Sequence, residues 1–329
     1  MATGYVRSDL VTVFGGSGFI GRHVVRALAR RGYRIRVAVR RPDLAGFLQP
    51  LGGVGQIHAV QANVRNRDSV GRAIEGAEAV VNLVGILYES GRQSFEAVQA
   101  FGPGAVAAAA KEAGIGRMVQ VSAIGADAGS ASEYARTKAA GEVAVREALP
   151  GAVIVRPSIV FGPEDDFFNR FAALARISPV LPLIGGGRTR FQPVYAGDVA
   201  EAIARGVDGN LKAGAAYELG GPEILTFEQV LRYILEVTDR RRLLAPLPFE
   251  IAKLKAWFLQ LLPNPLLTVD QVRLLATDNV VSDEAIREGR TLQGIGIDPQ
   301  AIETIVPSYL ARYRKAGQFS APDRTLSRS

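Results

Sequence analysis

Cysteine is absent from the 329 residues, which excludes disulfides, thiolate zinc or iron–sulfur ligation and a cysteine nucleophile within this chain. Only 2 histidines occur. His23 and His58 stand far apart, each without a second histidine nearby, so neither a histidine metal site nor a Ser-His-Asp triad is expected, and no metal is assigned. Proton chemistry is left to Tyr, Lys, Asp or Glu. No run approaches the roughly 18 uninterrupted apolar residues of a membrane-spanning helix, and the chain does not open on a basic run followed by an apolar core. The expected location is the cytoplasm.

Acids are also missing locally. Between Asp9 and Asp43 there is none, while Arg22, Arg26, Arg30, Arg31, Arg34, Arg36, Arg40 and Arg41 crowd the same stretch. Arg22, Arg26 and Arg30 recur every fourth residue and share a helix face, read here as a solvated outer face. With 39 Lys and Arg against 32 Asp and Glu, the net charge of +7 favours phosphates, an acidic partner or anionic lipid headgroups. The aromatic interleaving that stacks bases does not accompany these cations, which argues against nucleic acid.

What the chain does have is a globular composition, 48% apolar and 22% charged. Short β-branched runs at Leu10–Phe14, Arg34–Val39, Gln56–Val60, Ala79–Leu83, Arg117–Val121 and Ala152–Val155 alternate with helical patterns over Phe19–Arg31, Arg67–Glu75, Phe95–Ala113 and Glu133–Leu149. That rhythm predicts an α/β fold, a doubly wound parallel sheet of the Rossmann type. After Pro157 the rhythm breaks into Pro- and Gly-rich segments, with helix returning at about Tyr195–Gly206, a further strand candidate at Tyr217–Leu219 and a capped helix opening at Thr226. The expected division is a dinucleotide-binding domain over 8–160, with about 190–208 returning to it. A smaller helix-rich lobe takes 161–189 and 209–315, and a mobile tail 316–329.

Leu243–Leu267 is read separately. Ile251, Leu254, Phe258, Leu261 and Leu262 share one helical face, and the single tryptophan, Trp257, sits among them. An interfacial amphipathic helix and a lobe helix buried on the first domain both fit; burial is the expected arrangement.

The strongest motif is Val13-Phe14-Gly15-Gly16-Ser17-Gly18-Phe19-Ile20-Gly21-Arg22, which follows a strand and opens a helix. Gly15 permits the tight turn, Gly18 lets backbone approach a diphosphate and Gly21 lets the helix pack on the sheet. The exposed amides and the helix dipole then favour the anion. At the end of the second strand, where a carboxylate would accept from the adenosine ribose, stand Arg40 and Arg41. Guanidinium complements a 2′-phosphate, so NADP(H) is expected over NAD(H). One of the pair, Arg41, is the candidate for joining the exposed basic patch instead. Tyr134 and Lys138, four residues apart on the helix after the fifth strand, present a phenol and an ammonium on one face. Lys138 is expected to hold the nicotinamide ribose and to lower the Tyr134 pKa, making the phenol a proton donor to a carbonyl.

With these elements the chain resembles the short-chain dehydrogenase/reductase superfamily, in its extended and atypical branches. The likeness extends to Asn82-Leu83-Val84-Gly85, to Val121-Ser122, and to Arg156-Pro157-Ser158-Ile159 through Phe161-Gly162-Pro163. It implies that Val84, Gly85, Pro157, Ser158 and Ile159 line the cofactor and that Ser122, Tyr134 and Lys138 hold catalytic positions. The departures are informative. The position of the second hydroxyl after the fifth strand is Ile124, which cannot polarise a carbonyl. Ala62-Asn63-Val64 replaces Gly-Asp-Val at the adenine, leaving Asn63 and Val64 as the implied contacts, and Gln99 stands where Asn is common.

A narrower resemblance accommodates these departures. Arg156 through Asp165, Phe167-Phe168-Asn169-Arg170-Phe171, Gln192-Pro193-Val194-Tyr195 and Asp198-Val199 are similar to the NADPH-binding accessory subunits of respiratory complex I, NADH:ubiquinone oxidoreductase. The resemblance implies tightly held NADPH outside the electron-transfer chain and peripheral-arm subunits as partners. It also implies a peripheral position on the cytoplasmic face of the inner membrane. A free-standing NADP-dependent reductase or epimerase, acting on a small carbonyl or nucleotide-sugar with Tyr134 as acid, is the other expectation.

Overall fold

Consecutive residues are buried along most of the strand candidates, as in β-strands Leu10–Phe14, Ala79–Asn82 and Arg117–Val121, the pattern of strands covered on both faces. Each candidate becomes a parallel strand: β1 (Leu10–Phe14), β2 (Arg34–Val39), β3 (Ile57–Gln61), β4 (Ala79–Asn82), β5 (Arg117–Val121) and β6 (Val153–Pro157). A seventh, β11 (Ala216–Leu219), pairs with β6, and the sheet order is β11-β6-β5-β4-β1-β2-β3. The order reverses between β1 and β4. In such sheets ligands bind beyond the carboxyl ends of the strands at that reversal.

The computed structural model describes residues 8–263 and 265–315, so the tail expected to be mobile, 316–329, lies outside the described residues. Among the described residues the chain parts into two compact units. The first holds the chain up to Pro157, then Ala196–Leu219 and Val281–Asp298. Its helices are α1 (Phe19–Arg30), α2 (Arg67–Ile74), α3 (Gly102–Glu112), α4 (Glu133–Ala148), α6 (Ala196–Val207) and α10 (Asp283–Arg287). Helix α1 buries Val24, Val25 and Leu28 and leaves Arg26 and Arg30 exposed; Arg22, read from the sequence as part of the same solvated face, is instead half-buried with its guanidinium 4.9 Å over the Phe47 ring. The expected boundary placed 209–315 wholly in the lobe. Instead β11 completes the sheet and Val281–Asp298 returns with it. There Glu218 accepts from the Ser282 N–H at 2.8 Å, and the Glu218 N–H donates to the Arg290 carbonyl at 2.9 Å.

The second unit, Ser158–Tyr195, Gly220–Val280 and the residues from Pro299, is built from short pieces. Strands β7 (Val160–Phe161) and β10 (Val194–Tyr195) pair parallel, β9 (Arg190–Phe191) and β12 (Leu225–Thr226) antiparallel, and β8 (Val180–Ile184) and β13 (Leu243–Leu247) parallel. Around them lie α5 (Phe167–Ile177), α7 (Phe227–Val237), α8 (Phe249–Leu259), α9 (Val269–Leu274) and α11 (Ile302–Leu310). The core gathers Phe161, Phe168, Phe191 and Phe227 with the apolar face of α7. Thr226 starts α7 with the expected cap, a full capping box with Gln229. A buried polar cluster braces this core. Asp165 accepts from the Tyr309 hydroxyl at 2.6 Å and from the Gly162 and Asn169 N–H groups at 3.2 Å each.

The expected burial of the Leu243–Leu267 face is overturned. The run is not one helix: its first five residues, Leu243–Leu247, are β13, and α8 ends at Leu259. The residues α8 buries are Ala252 and Ala256, while Ile251, Leu254, Trp257 and Phe258 stand exposed. Small side chains let the α8 backbone approach its neighbours closely, and the large ones are turned outward.

Candidate coenzyme site

The glycine turn begins where β1 ends. Gly15 adopts φ +75°, a left-handed conformation that favours glycine. Its N–H donates to the Ala38 carbonyl of β2 at 3.1 Å, and its carbonyl accepts from the Gly18 N–H at 3.0 Å. Gly21 sits where a Cβ would strike the Gly15 carbonyl and, at 2.7 Å, Gly16. That contact brings α1 hard against the turn. Gly18 caps α1 without any side-chain hydrogen bond, and Phe19, Ile20 and Gly21 begin a helix whose first turn holds no acidic residue to meet its positive end. Half-buried Ser17 lies at the tip of the same turn.

Around this turn the sheet's carboxyl edge collects most of the residues singled out in the sequence. Val84, beyond β4, lies against the turn, 3.3 Å from the Cβ position of Gly15, and its N–H donates to Asn82 Oδ1 at 3.2 Å. Next to it, the Cβ position of Gly85 is 3.2 Å from Lys138 Nζ and 3.7 Å from Gln99 Oε1. Arg40 and Arg41 follow β2, both exposed. They differ in occupation: Arg41 forms an ion pair with Asp43 at 2.7 Å, whereas no ion pair engages Arg40 among the described residues. Asn63, beyond β3, spends its side-chain oxygen on the Arg65 N–H at 3.1 Å, and Val64 is buried against Gly102. Pro157 ends β6 and accepts the Ile124 N–H at 3.0 Å. Ser158 and Ile159 begin the second unit, where Asn279 Oδ1 accepts from the Ser158 hydroxyl at 2.7 Å and from the Ile159 N–H at 3.1 Å.

Tyr134 and Lys138 lie on α4, with Lys138 Nζ 5.7 Å from the Tyr134 ring centroid and Phe95 packed edge-on against the same ring. The expectation that Lys138 lowers the phenol pKa is overturned. Desolvation dominates and pushes Tyr134 up to about 12, so the phenol stays protonated at neutral pH. Burial also pushes Lys138 down to about 8, opposed by the Glu142 carboxylate one turn away. Glu142 is itself held by Arg156 through two hydrogen bonds of 2.8 and 2.6 Å.

Gln99, which the resemblance sets at a position where Asn is common, also lies by this edge. It is buried, and among the described residues neither Nε2 nor Oε1 finds a hydrogen-bond partner; the buried Ser122 hydroxyl finds none either. Gln99 lies in a π-helical turn, Glu96–Phe101, just ahead of α3. Pro103 has no N–H to return to the Gln99 carbonyl four residues back, and the helix widens there. Gly141 of α4 passes directly over that carbonyl, which no residue with a Cβ would allow. Pro103 and Gly141 are the further sequence features that set how its amide is turned.

Comparison with known proteins places the chain. Residues 11–220 match the NAD dependent epimerase/dehydratase family. The chain belongs to that family. It is 37% identical over 324 residues, 95% of this chain and 80% of the relative, to the mitochondrial NADH dehydrogenase [ubiquinone] 1 alpha subcomplex subunit 9 of Arabidopsis thaliana. Over a shorter stretch of 194 residues, 59% of each chain, it is 39% identical to the ceramide reductase of Caulobacter vibrioides. In fold it is similar to the NADPH-dependent quinone oxidoreductase of Escherichia coli complexed with NADPH, at TM-score 0.72 and 20% identity, covering 91% of this chain and 99% of the other.

Proposed function

We propose that this protein clasps NADP(H) as a non-catalytic accessory subunit of respiratory complex I, associated with peripheral-arm subunits. Its place is the cytoplasmic face of the inner membrane, near anionic lipid headgroups. One observation carries the coenzyme half of this reading. Beside an intact glycine turn, Gln99 keeps a buried amide without partners among the described residues, close to Gly85 where the desolvated Lys138 also lies, and the buried Ser122 hydroxyl at the end of β5 has none either. Such groups cost stability unless something fills their hydrogen bonds, and a nicotinamide ribose and carboxamide supply matching ones. Bound there, the coenzyme would carry a transferable hydride that this reading leaves unused. The chain's own residues would divide the rest: Gly15, Ser17, Gly18, Phe19, Ile20 and Gly21 take the diphosphate. Val84, Gly85, Pro157, Ser158 and Ile159 flank the nicotinamide half, and Asn63 and Val64 border the adenine. Lys138 and Gln99 orient the ribose.

Arg40 is the residue for the 2′-phosphate, because Arg41 is already taken by Asp43. Arg40→Glu should weaken NADPH at least about tenfold while changing NADH little, the loss of one charge-assisted contact. Equal losses measured by calorimetry would remove the NADP(H) assignment.

The complex I half rests on relatedness over 95% of the chain to the alpha subcomplex subunit, and the loss of turnover on Ile124 in place of a hydroxyl. Purified protein should retain NADPH in near-stoichiometric amount, leave it unoxidised across a carbonyl panel, and co-purify with complex I subunits from gently solubilised membranes. A second reading, reduction of a carbonyl, is supported by the Tyr134 and Lys138 pair and by the likeness to a ceramide reductase. NADPH oxidation abolished by Tyr134→Phe would put it first.

A further inference from the structure

Helix α8 is built the wrong way round for a globular domain. In the same unit α7 buries Val230, Leu231, Ile234, Leu235 and Val237, whereas α8 buries only Ala252 and Ala256 among its eleven residues. Outward it turns Leu254 at 62% exposure, Trp257 at 52% and Phe258 at 60%, and the exposed run continues through Leu261, Leu262 and Leu266. A contiguous apolar surface of this kind needs a cover. No helix among the described residues is long and apolar enough to cross a membrane, so the cover is met from one side.

We propose that α8 and the segment after it, to Leu266, lie in the headgroup region of a phospholipid bilayer that carries anionic lipid. The proposal deepens the peripheral placement given above and rests on it. Charge at the rim of the patch favours lipid over another protein. Lys255 lies among the apolar residues, Lys253 stands next to them paired with Glu250 at 2.9 Å, and Arg170 donates to the Pro265 and Leu266 carbonyls at 3.4 and 3.1 Å, holding beside exposed Leu266 a guanidinium in no ion pair among the described residues. Lysine is depleted at protein interfaces, but at a lipid surface its stem lies along the apolar layer and its ammonium reaches the phosphates, with tryptophan at the same depth. A second spot in the same unit repeats the composition. Leu243 and Val180, in register across β13 and β8, are exposed with Ile177. Arg176, Arg240, Arg241 and Arg242 stand beside them in sequence, none in an ion pair among the described residues.

Trp257 is the only tryptophan in the chain, so its emission reports on this helix alone. Full-length protein is mixed with vesicles of phosphatidylcholine, with or without phosphatidylglycerol, and followed by fluorescence, iodide quenching and co-sedimentation. The expected result is a blue shift with protection from iodide, and partitioning at least about tenfold stronger when phosphatidylglycerol is present. A variant carrying Leu254→Glu and Phe258→Glu should lose partitioning by at least about tenfold while keeping its NADPH affinity, which shows it folded. Emission unchanged by either vesicle would overturn the proposal. So would salt-sensitive adsorption without a blue shift, or a self-associated state that the double variant dissolves while vesicles bind neither protein. Because the mixture holds only this protein and lipid, its outcome is independent of whether complex I subunits co-purify.

Discussion

Two buried polar clusters, one in each unit, differ in how far their hydrogen bonds are met. In the second unit Asp165 is buried, and burial pushes its carboxyl upward, yet its two oxygens collect a hydroxyl and two backbone N–H groups while Asn169 reaches on to Arg312 at 2.5 Å. In the first unit Gln99 and Ser122 are as deeply buried and, among the described residues, keep polar atoms with no partner, Gln99 next to Gly85 where a lysine whose ammonium burial disfavours also lies. A saturated cluster is architecture: it fixes how α5 and α11 meet. An unsaturated one stores an unmet demand that a ligand can answer. The contrast assigns one cluster to folding and the other to binding, and each can be tested by removing a member.

The largest effect is expected at Asp165. Asp165→Ala strips the Tyr309 hydroxyl and two backbone N–H groups of their acceptor at a site closed to water, which should cost about 3 kcal/mol or more in chemical denaturation. A loss below 1 kcal/mol would mean the cluster does not brace the fold. Lys138→Met should act in the opposite direction. The ammonium is lowered from 10.5 to about 8, so the coenzyme-free protein at pH 7 carries a strain of roughly 3 kcal/mol that methionine relieves. The pH dependence has a definite sign. Below pH 8 both folded and unfolded chains hold the proton; between about 8 and 10.5 only the unfolded chain does, so stability climbs with pH across that window. Denaturation curves of Lys138→Met should be flatter there, and the variant should bind NADPH poorly despite being more stable. A destabilised Lys138→Met would show that the lysine is a structural partner after all.

Much of the first unit was legible because its signals are local. Strand runs, the glycine turn and the Tyr134–Lys138 spacing depend on neighbours within a few residues, and β1, β2 and β5 fall on the predicted bounds. What escaped depends on residues far apart in sequence. Whether Gln99 faces solvent or interior is set by Pro103 opening a π turn and by Gly141 closing over it, and neither reads as a site on its own. The direction of the Tyr134 shift was misread because a nearby ammonium suggests a lowered phenol, whereas both groups are desolvated together and burial wins. The outward face of α8 was misread because hydrophobic spacing locates an apolar face without saying what it meets; here the packing choice went to Ala252 and Ala256. The return of Val281–Asp298 to the first unit rests on Glu218, a contact 64 residues away from Ser282.

The finest test of the contrast uses Gln99 alone. Gln99→Met keeps the length of the side chain and removes an amide that has no partner, so the coenzyme-free protein should hold its stability to within about 1 kcal/mol or gain slightly. The same change made in a satisfied cluster would be costly. If Gln99 faces the coenzyme, the variant must instead lose part of the thermal stabilisation that saturating NADPH gives the parent, since that stabilisation follows the logarithm of ligand over Kd. A tenfold weaker Kd, the loss of about one hydrogen bond to a polar ligand, would lower the stabilisation by about 1.4 kcal/mol. Both readouts come from one pair of melting curves, with and without NADPH. Equal loss in the two curves would return Gln99 to the role of a structural amide, and an unchanged NADPH shift would move the coenzyme away from the π turn.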